Sequence, residues 1–250
     1  MQMARPTRPL VIFGVNPVRE KLKSAPEQVA EIIVDERERA GLTAVLDEAR
    51  QRGLPVRRVN AEQLNALTEG GRHQGVAAIT APYAYSSFDD LLDVVQSGPI
   101  RVLVLDGLTD PRNFGALLRS ADGAGVQHIV TPKDRAVGVT PVVAKASAGA
   151  LHHVKIYRVS NLTRALQAMK QAGCWIVGLD AGAADCLYDR DYADRLAVVI
   201  GSEGRGIRPL VRRQCDFLVS IPMQGRIGSL NVSVAAGIFL YELVRQGRGR

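Results

Sequence analysis

A chain of 250 residues with 46% hydrophobic and 23% charged residues is long enough for one large globular domain or two modest ones. No apolar run approaches the ~18 residues of a membrane span, and the start "MQMARPTRPLVIFG" holds no apolar stretch of signal-peptide length, so a cytoplasmic protein is expected. Lys and Arg outnumber Asp and Glu by 32 to 25, a net charge of +7 that suits a polyanion without identifying one.

The first eight residues are basic and expected to be disordered. From there "LVIFGV" reads as a strand and "NPVREKLKS" as a helix. "VAEIIV" is a strand, "AGLTAVLDEARQRG" a helix closed by Gly53, and "LPVRRV" a strand. "NAEQLNALTE" is a short helix and "GVAAIT" a last strand. These elements predict a small α/β domain over 9–80. "APYAYSSFDDLLDVVQSGP", with Pro at each end and several serines, predicts a linker over 81–99. Tyr83 and Tyr85 within it could stack on bases or pack against a domain.

From Ile100 the pattern restarts. "IRVLVLDGL" is too apolar to have a solvated face and predicts a central strand of a parallel sheet. "QHIVTP", "HHVKIYRV", "CWIVGLD", "LAVVIG" and "DFLVSIPM" follow as strands with helices between them. The alternation predicts a parallel α/β domain over 100–246 and a basic tail over 247–250. Cys174, Cys186 and Cys215 are odd in number and lack CxxC spacing, which argues against disulfides and zinc. The four histidines show no metal-binding or catalytic spacing, so no metal is expected.

Three loops of this second domain carry unusual polar residues. In "DGLTDPRNFGALLRSADGAGV" a strand ends at Asp106 and a helix begins near Asn113, where an Asn would ordinarily serve as the cap. Arg119 lies six residues further on, in a helix otherwise small and apolar. In "LAVVIGSEGRGI" a buried strand breaks at Gly201, and three glycines around Ser202, Glu203 and Arg205 let the backbone approach a ligand at the carboxyl edge of the sheet. The spacing matches neither GxGxxG nor the phosphate-binding P-loop. In "IPMQGRIGSLNVSVAAG" a strand ending at Ile221 passes through a loop to Ser229, Leu230 and Asn231. The helix that follows is made of Val, Ser, Ala and Gly, with Ser229 expected as its cap.

"NFGALLRSADGAGV", "VVIGSEGRGI" and "IPMQGRIGSLNVSVAAGIFLYE" resemble, in order and spacing, the three motifs of the SpoU/TrmH (SPOUT) RNA ribose 2′-O-methyltransferases. "FGVNPVREKL", "HQGV" and "PKDRA" extend the likeness over almost the whole chain, toward bacterial members that methylate a guanosine ribose in large-subunit (23S) rRNA. The resemblance implies a trefoil-knotted parallel-sheet α/β catalytic domain, with a small ribosomal-protein-like RNA-binding domain before it. It implies S-adenosylmethionine as cofactor, held at Gly201, Ile221 and Leu230, with the last two side chains enclosing the adenine. It also implies a homodimer acting on rRNA, in a hairpin region, with no metal and no membrane. Arg52, Arg57, Arg58 and Arg72 of the first domain are candidates for holding that RNA.

By the same resemblance, Arg119 stands beside the reacting hydroxyl. A guanidinium is a poor base because it stays protonated. The expected role is therefore to clamp the adjacent phosphate and stabilise the developing alkoxide as a fixed charge. Asn113, Glu203, Ser229 and Asn231 would orient Arg119 and the ribose. Three rival readings are a non-catalytic RNA-binding assembly factor, a family member acting on tRNA or another rRNA nucleotide, and a nucleotide-dependent dehydrogenase. The missing GxGxxG counts against the last.

Overall fold

The computed structural model describes residues 9–37, 41–226 and 228–247. The expected disordered stretch 1–8 and the basic tail beyond Gly247 lie outside them.

The first sheet has four strands in the order β1-β4-β2-β3, with β1 at Leu10–Phe13, β2 at Val29–Asp35, β3 at Val56–Val59 and β4 at Val76–Thr80. β4 runs antiparallel to both β1 and β2, while β2 and β3 are parallel. Helices α1 (Val15–Ser24), α2 (Thr43–Gln51) and α3 (Ala61–Leu67) join them. The start of α3 is fixed by local chemistry: Asn60 accepts from the Gln63 amide at 2.9 Å, and the Gln63 side chain accepts from the Asn60 amide at 3.3 Å. Val18, Leu22, Ile32, Val45 and Val76 form the fully buried centre of one face of this sheet.

The remaining elements are α4 (Phe88–Ser97), β5 (Ile100–Asp106), α5 (Pro111–Gly123), β6 (His128–Pro132), α6 (Pro141–Ala146), β7 (Lys155–Val159), α7 (Leu162–Gln171), β8 (Trp175–Leu179), β9 (Asp185–Cys186), β10 (Arg195–Gly201), α8 (Pro209–Arg212), β11 (Phe217–Ser220) and α9 (Val232–Gly247). The seven strands form one parallel sheet in the order β7-β6-β5-β10-β8-β11-β9. Successive residues of β5 point to opposite faces, and all of Val102–Asp106 is buried, as a strand covered on both sides requires. Val102 and Val104 join one core cluster with Leu91 and Val95 of α4 and Leu166 and Met169 of α7. On α9, Val232, Ala236, Phe239, Leu240 and Leu243 recur at helical spacing and are buried, and α9 packs along α5.

Two compact units result. One holds the described residues up to Ala84 together with Val139–His152, and the other holds Tyr85–Gly138 with the described residues from His153 onward. Two boundaries therefore differ from the sequence reading. The stretch read as a linker carries α4, whose Leu91 and Val95 are buried in the core of the larger unit. Val139–His152, read as part of the 100–246 domain, belongs with the smaller unit. There Ala144 of α6 is buried in the same core as Val18 and Leu22, with Leu151 packed against it, and the Lys145 ammonium lies 4.6 Å from the centre of the Phe13 ring. An apolar helix in a crossover connection is buried wherever it finds an uncovered sheet face, and chain order does not say which face that is.

Candidate active site at the carboxyl edge of the seven-stranded sheet

Parallel strands bring their carboxyl ends to one edge, and the register aligns them: Gly201 of β10 stands beside Asp106 of β5, and Ile200 beside Leu179 of β8. A cleft of about 570 Å³ opens there. Its walls are the end of β8 with the two residues after it (Leu179–Ala181), the turn Gly201–Gly206, and the segment that leaves β11 at Ile221 and enters α9 through Ser229, Leu230 and Asn231.

The Gly201 turn is closed on itself. Ser202 N–H donates to the Gly206 carbonyl at 3.1 Å and Gly206 N–H to the Ser202 carbonyl at 2.9 Å, so Glu203, Gly204 and Arg205 form its tip. A Cβ on Gly201 would fall 2.1 Å from the Gly206 carbonyl carbon, which excludes every other residue at that position without backbone movement. The exit of the turn is tethered by a side chain that sequence reasoning missed. Asp106, 1% exposed, accepts from the Arg208 amide at 2.8 Å and from Arg208 Nε at 2.6 Å. A carboxylate at the end of an otherwise apolar strand was the available signal, because a buried charge demands a partner.

The three polar loops meet in one hydrogen-bond network. Asn113 Nδ2 donates to Glu203 Oε1, and Asn231 Nδ2 donates to the same oxygen at 3.3 Å and to Asn113 Oδ1 at 3.1 Å. Asn231 Oδ1 accepts from Ser233 N–H at 2.9 Å and from the Ser233 hydroxyl at 2.6 Å. Both ends of the Asn231 amide are thus committed, and its orientation is determined.

Both capping expectations require correction. Asp110, not Asn113, caps α5: its Oδ1 accepts from Arg112 N–H at 2.7 Å and Asn113 N–H at 3.4 Å, with Pro111 as the first helical residue. At α9 the Ser233 N–H goes to Asn231, so Asn231 rather than Ser229 takes the capping position. Each asparagine or serine near a helix start has the chemistry to cap, and the choice follows from where the backbone turns. Freed from capping, Asn113 turns its side chain to Glu203.

Of the residues the sequence singled out, Gly201, Glu203, Ile221, Ser229, Leu230 and Asn231 line the cleft, and Asn113 joins it through Glu203 and Asn231. Arg119 does not line it. It lies exposed on α5, and its guanidinium makes no hydrogen bond or ion pair among the described residues.

Asp180, also missed, borders the cleft and braces its outer wall. Burial alone would raise its carboxyl, but hydrogen bonds from Gly182 N–H and Arg212 Nε, both 2.9 Å, prevail and hold it below the ordinary 3.8. The sulfur chemistry is quiet: burial pushes the Cys174 and Cys215 thiols up to about 12, which leaves them inert as nucleophiles. No cluster of His, Cys, Asp or Glu among the described residues could hold a metal ion. No described helix is long and apolar enough to cross a membrane.

Residues 100–241, which contain this whole arrangement, match the SpoU rRNA Methylase family, and residues 11–86 match a family described as RNA 2′-O ribose methyltransferase substrate binding. The chain belongs to the SpoU rRNA methylase family. It is 43% identical to the 23S rRNA (guanosine-2′-O-)-methyltransferase RlmB of Shewanella oneidensis, over 95% of this chain and 98% of that protein. The Escherichia coli protein of the same name is 41% identical, over 94% of this chain and 98% of its own length. Among solved structures, the SpoU methyltransferase AviRb of Streptomyces viridochromogenes in complex with the cofactor AdoMet superposes with a TM-score of 0.77 at 25% identity, covering 97% of this chain and 92% of that one. The SpoU assignment bears out the resemblance drawn from the three motifs and the expectation of a parallel-sheet methyltransferase. It sets aside the dehydrogenase reading.

Proposed function

We propose that this protein transfers a methyl group from S-adenosylmethionine to the ribose 2′-oxygen of a guanosine in 23S rRNA, leaving S-adenosylhomocysteine and releasing the hydroxyl proton to a phosphate or water. The joining of Asn113, Glu203 and Asn231 into one network at the cleft carries this reading. Three separate loops of a SpoU domain there converge on a pocket for the donor beside oriented polar groups. The relatives quoted above share more than 40% of their residues with this chain and carry that substrate in their names.

The residues present fit the cofactor. Ile221 and Leu230 offer apolar surface for an adenine, and the Gly201–Gly206 turn brings main-chain groups to the wall of the cleft. When bound, S-adenosylmethionine supplies a methyl group on a positively charged sulfur. Glu203 provides a carboxylate on the wall of the same cleft, a counter-charge for such a group. Asn113 and Asn231 hold that carboxylate in one orientation, so no reorganisation is needed when charge moves at the reacting centre.

Arg119 is proposed to grip the phosphate beside the target ribose and stabilise the developing alkoxide. Its exposed position, away from its own cleft, is consistent with a homodimer in which α5 of one protomer completes the partner's site. Supporting this, α5 packs beside a face of α9 that exposes Val234 at 50% and Tyr241 at 54%, seven residues apart and so on one stripe. We also assign to residues 221–226 and 228–231 the threaded segment of a trefoil knot. This stretch leaves β11, next to β8, and reaches α9, which packs on α5. The smaller unit is assigned to binding the rRNA hairpin, and the protein to the cytoplasm.

The test is transfer of isotopically labelled methyl from S-adenosylmethionine to 23S rRNA lacking its ribose methylations, with the product mapped to a nucleotide. Label in a single 2′-O-methylguanosine is expected. Label confined to tRNA would overturn the target, and the absence of label from every RNA would overturn the enzymatic reading.

A further inference from the structure

The loop Lys133–Gly138 between β6 and α6 is fastened at several points yet projects a charge that meets no partner among the described residues. Lys133 N–H donates to the Val159 carbonyl at 2.8 Å, and the Lys133 carbonyl accepts from the Arg158 guanidinium, which lies 5.1 Å from the centre of the Tyr85 ring. Val137 N–H donates to the Leu108 carbonyl at 2.8 Å, joining the loop to the turn that leads into α5. At its tip Arg135 adopts φ +56°, a left-handed conformation unfavourable for a side chain of that size. A Cβ on Gly107 would lie 4.0 Å from both the Arg135 carbonyl oxygen and Ser202 Cβ, so this tip, the turn after β5 and the Gly201 turn meet at one place. Arg135 is exposed there and makes no hydrogen bond or ion pair among the described residues.

Glycine or asparagine would make the same turn with less strain. No contact among the described residues calls for an arginine. We propose that Arg135 is a positioning residue for the RNA substrate, gripping a backbone phosphate near the target nucleotide from the rim formed by Gly107 and Ser202. The inference rests on the RNA substrate proposed above. A guanidinium fork matches two phosphate oxygens, and the rigid loop beneath it sets where that phosphate sits relative to the Asn113–Glu203–Asn231 network.

Arg135→Asn keeps the left-handed turn and removes the charge, Arg135→Lys keeps the charge and loses the fork, and Arg164→Gln removes an exposed arginine from α7 as a control. RNA affinity is measured from low to high salt, with kcat and KM on 23S rRNA fragments and S-adenosylmethionine affinity in parallel. For Arg135→Asn, kcat/KM on RNA is expected to fall about tenfold or more. The slope of log Kd against log salt should decrease by about 0.7 to 0.9, the contribution of one phosphate contact. S-adenosylmethionine affinity should stay within about twofold of wild type. Arg135→Lys should restore the slope but not the full kcat/KM, and Arg164→Gln should change neither. An unchanged slope and kcat/KM for Arg135→Asn overturns the inference, as does weakened S-adenosylmethionine binding, which would make the position a brace for the cleft. Failure of the wild-type protein to methylate any RNA would instead strike the proposed function.

Discussion

Asn113 and Asn231 stand 118 positions apart in the chain and share a 3.1 Å hydrogen bond, while both donate to one oxygen of Glu203. Two amides and a carboxylate thus pin the start of α5, the turn after β10 and the entrance of α9 to each other. Because Asn231 also caps α9 through its oxygen, the same side chain serves the helix with one end and the site with the other.

This double duty can be separated by substitution. Asn231→Ala should lose the cap, at about 1 kcal/mol, and turnover by two orders of magnitude or more. Asn231→Asp keeps an acceptor for the Ser233 amide but sets a second carboxylate against Glu203. Thermal melts should therefore show the alanine variant losing its capping contribution and the aspartate variant retaining it, with both inactive in methyl transfer. An active Asn231→Asp enzyme would show that the donor end of the amide is dispensable.

Gly201 makes a steric prediction. A methyl group at 2.1 Å from the Gly206 carbonyl carbon forces the turn open, and the atoms it meets are backbone rather than yielding side chains. Gly201→Ala should cost about 1–3 kcal/mol or more of stability and weaken S-adenosylmethionine binding at least tenfold by calorimetry. Gly225→Ala is the control, since a Cβ there meets nothing within 4 Å. Equal cofactor affinity in the two variants would show that the tight turn does not shape the pocket.

Arg119 tests the phosphate clamp. Since it lies outside its own cleft, Arg119→Ala should leave S-adenosylmethionine affinity within about twofold while abolishing methyl transfer. Arg119→Lys should be nearly as inactive if the planar fork matters, and substantially active if a positive charge suffices. Mixing the Arg119→Ala protein with a cofactor-site variant such as Gly201→Ala would restore up to a quarter of the sites if each arginine serves the partner subunit.

The Asp106–Arg208 pair should be asymmetric. Arg208 is half-exposed and can be solvated when its partner is neutralised, whereas the Asp106 side chain is fully buried. Arg208→Ala, which leaves the carboxylate with only the Arg208 amide, is expected to cost more than Asp106→Asn; about 1–3 kcal/mol separates them on the cost of an unmet buried charge-assisted hydrogen bond. Denaturant titration of the two variants decides the order.

Asp180 sets an acid limb. Its carboxyl is held below 3.8 in the folded protein, so the unfolded chain binds the proton more tightly. The stabilisation is complete above the ordinary carboxylate range and is lost as pH falls through the lower, folded value. Asp180→Asn should flatten the stability profile in that acid window. A profile unchanged below pH 4 would mean that Arg212 and Gly182 do not favour the charged form.

Much of this is legible in the amino-acid sequence. The runs "IRVLVLD" and "LAVVIG" could only be central strands, because five consecutive buried positions in each leave no face for solvent. The three polar loops followed from breaks in apolar runs, and their spacing carried the family. Local signals sufficed wherever the determining interaction lies within one turn of helix or one strand, as with the Asn60–Gln63 box at α3. The tertiary structure alone decided the rest. It chose Asp110 and Asn231 over Asn113 and Ser229 as caps, paired Asp106 with Arg208 across 102 positions, and seated α6 in the core of the smaller unit. It also left Arg119 exposed on α5, outside the lining of the cleft. Each of these depends on which groups compete for one donor or one uncovered surface, and a chain read in order holds the competitors without showing the distances between them.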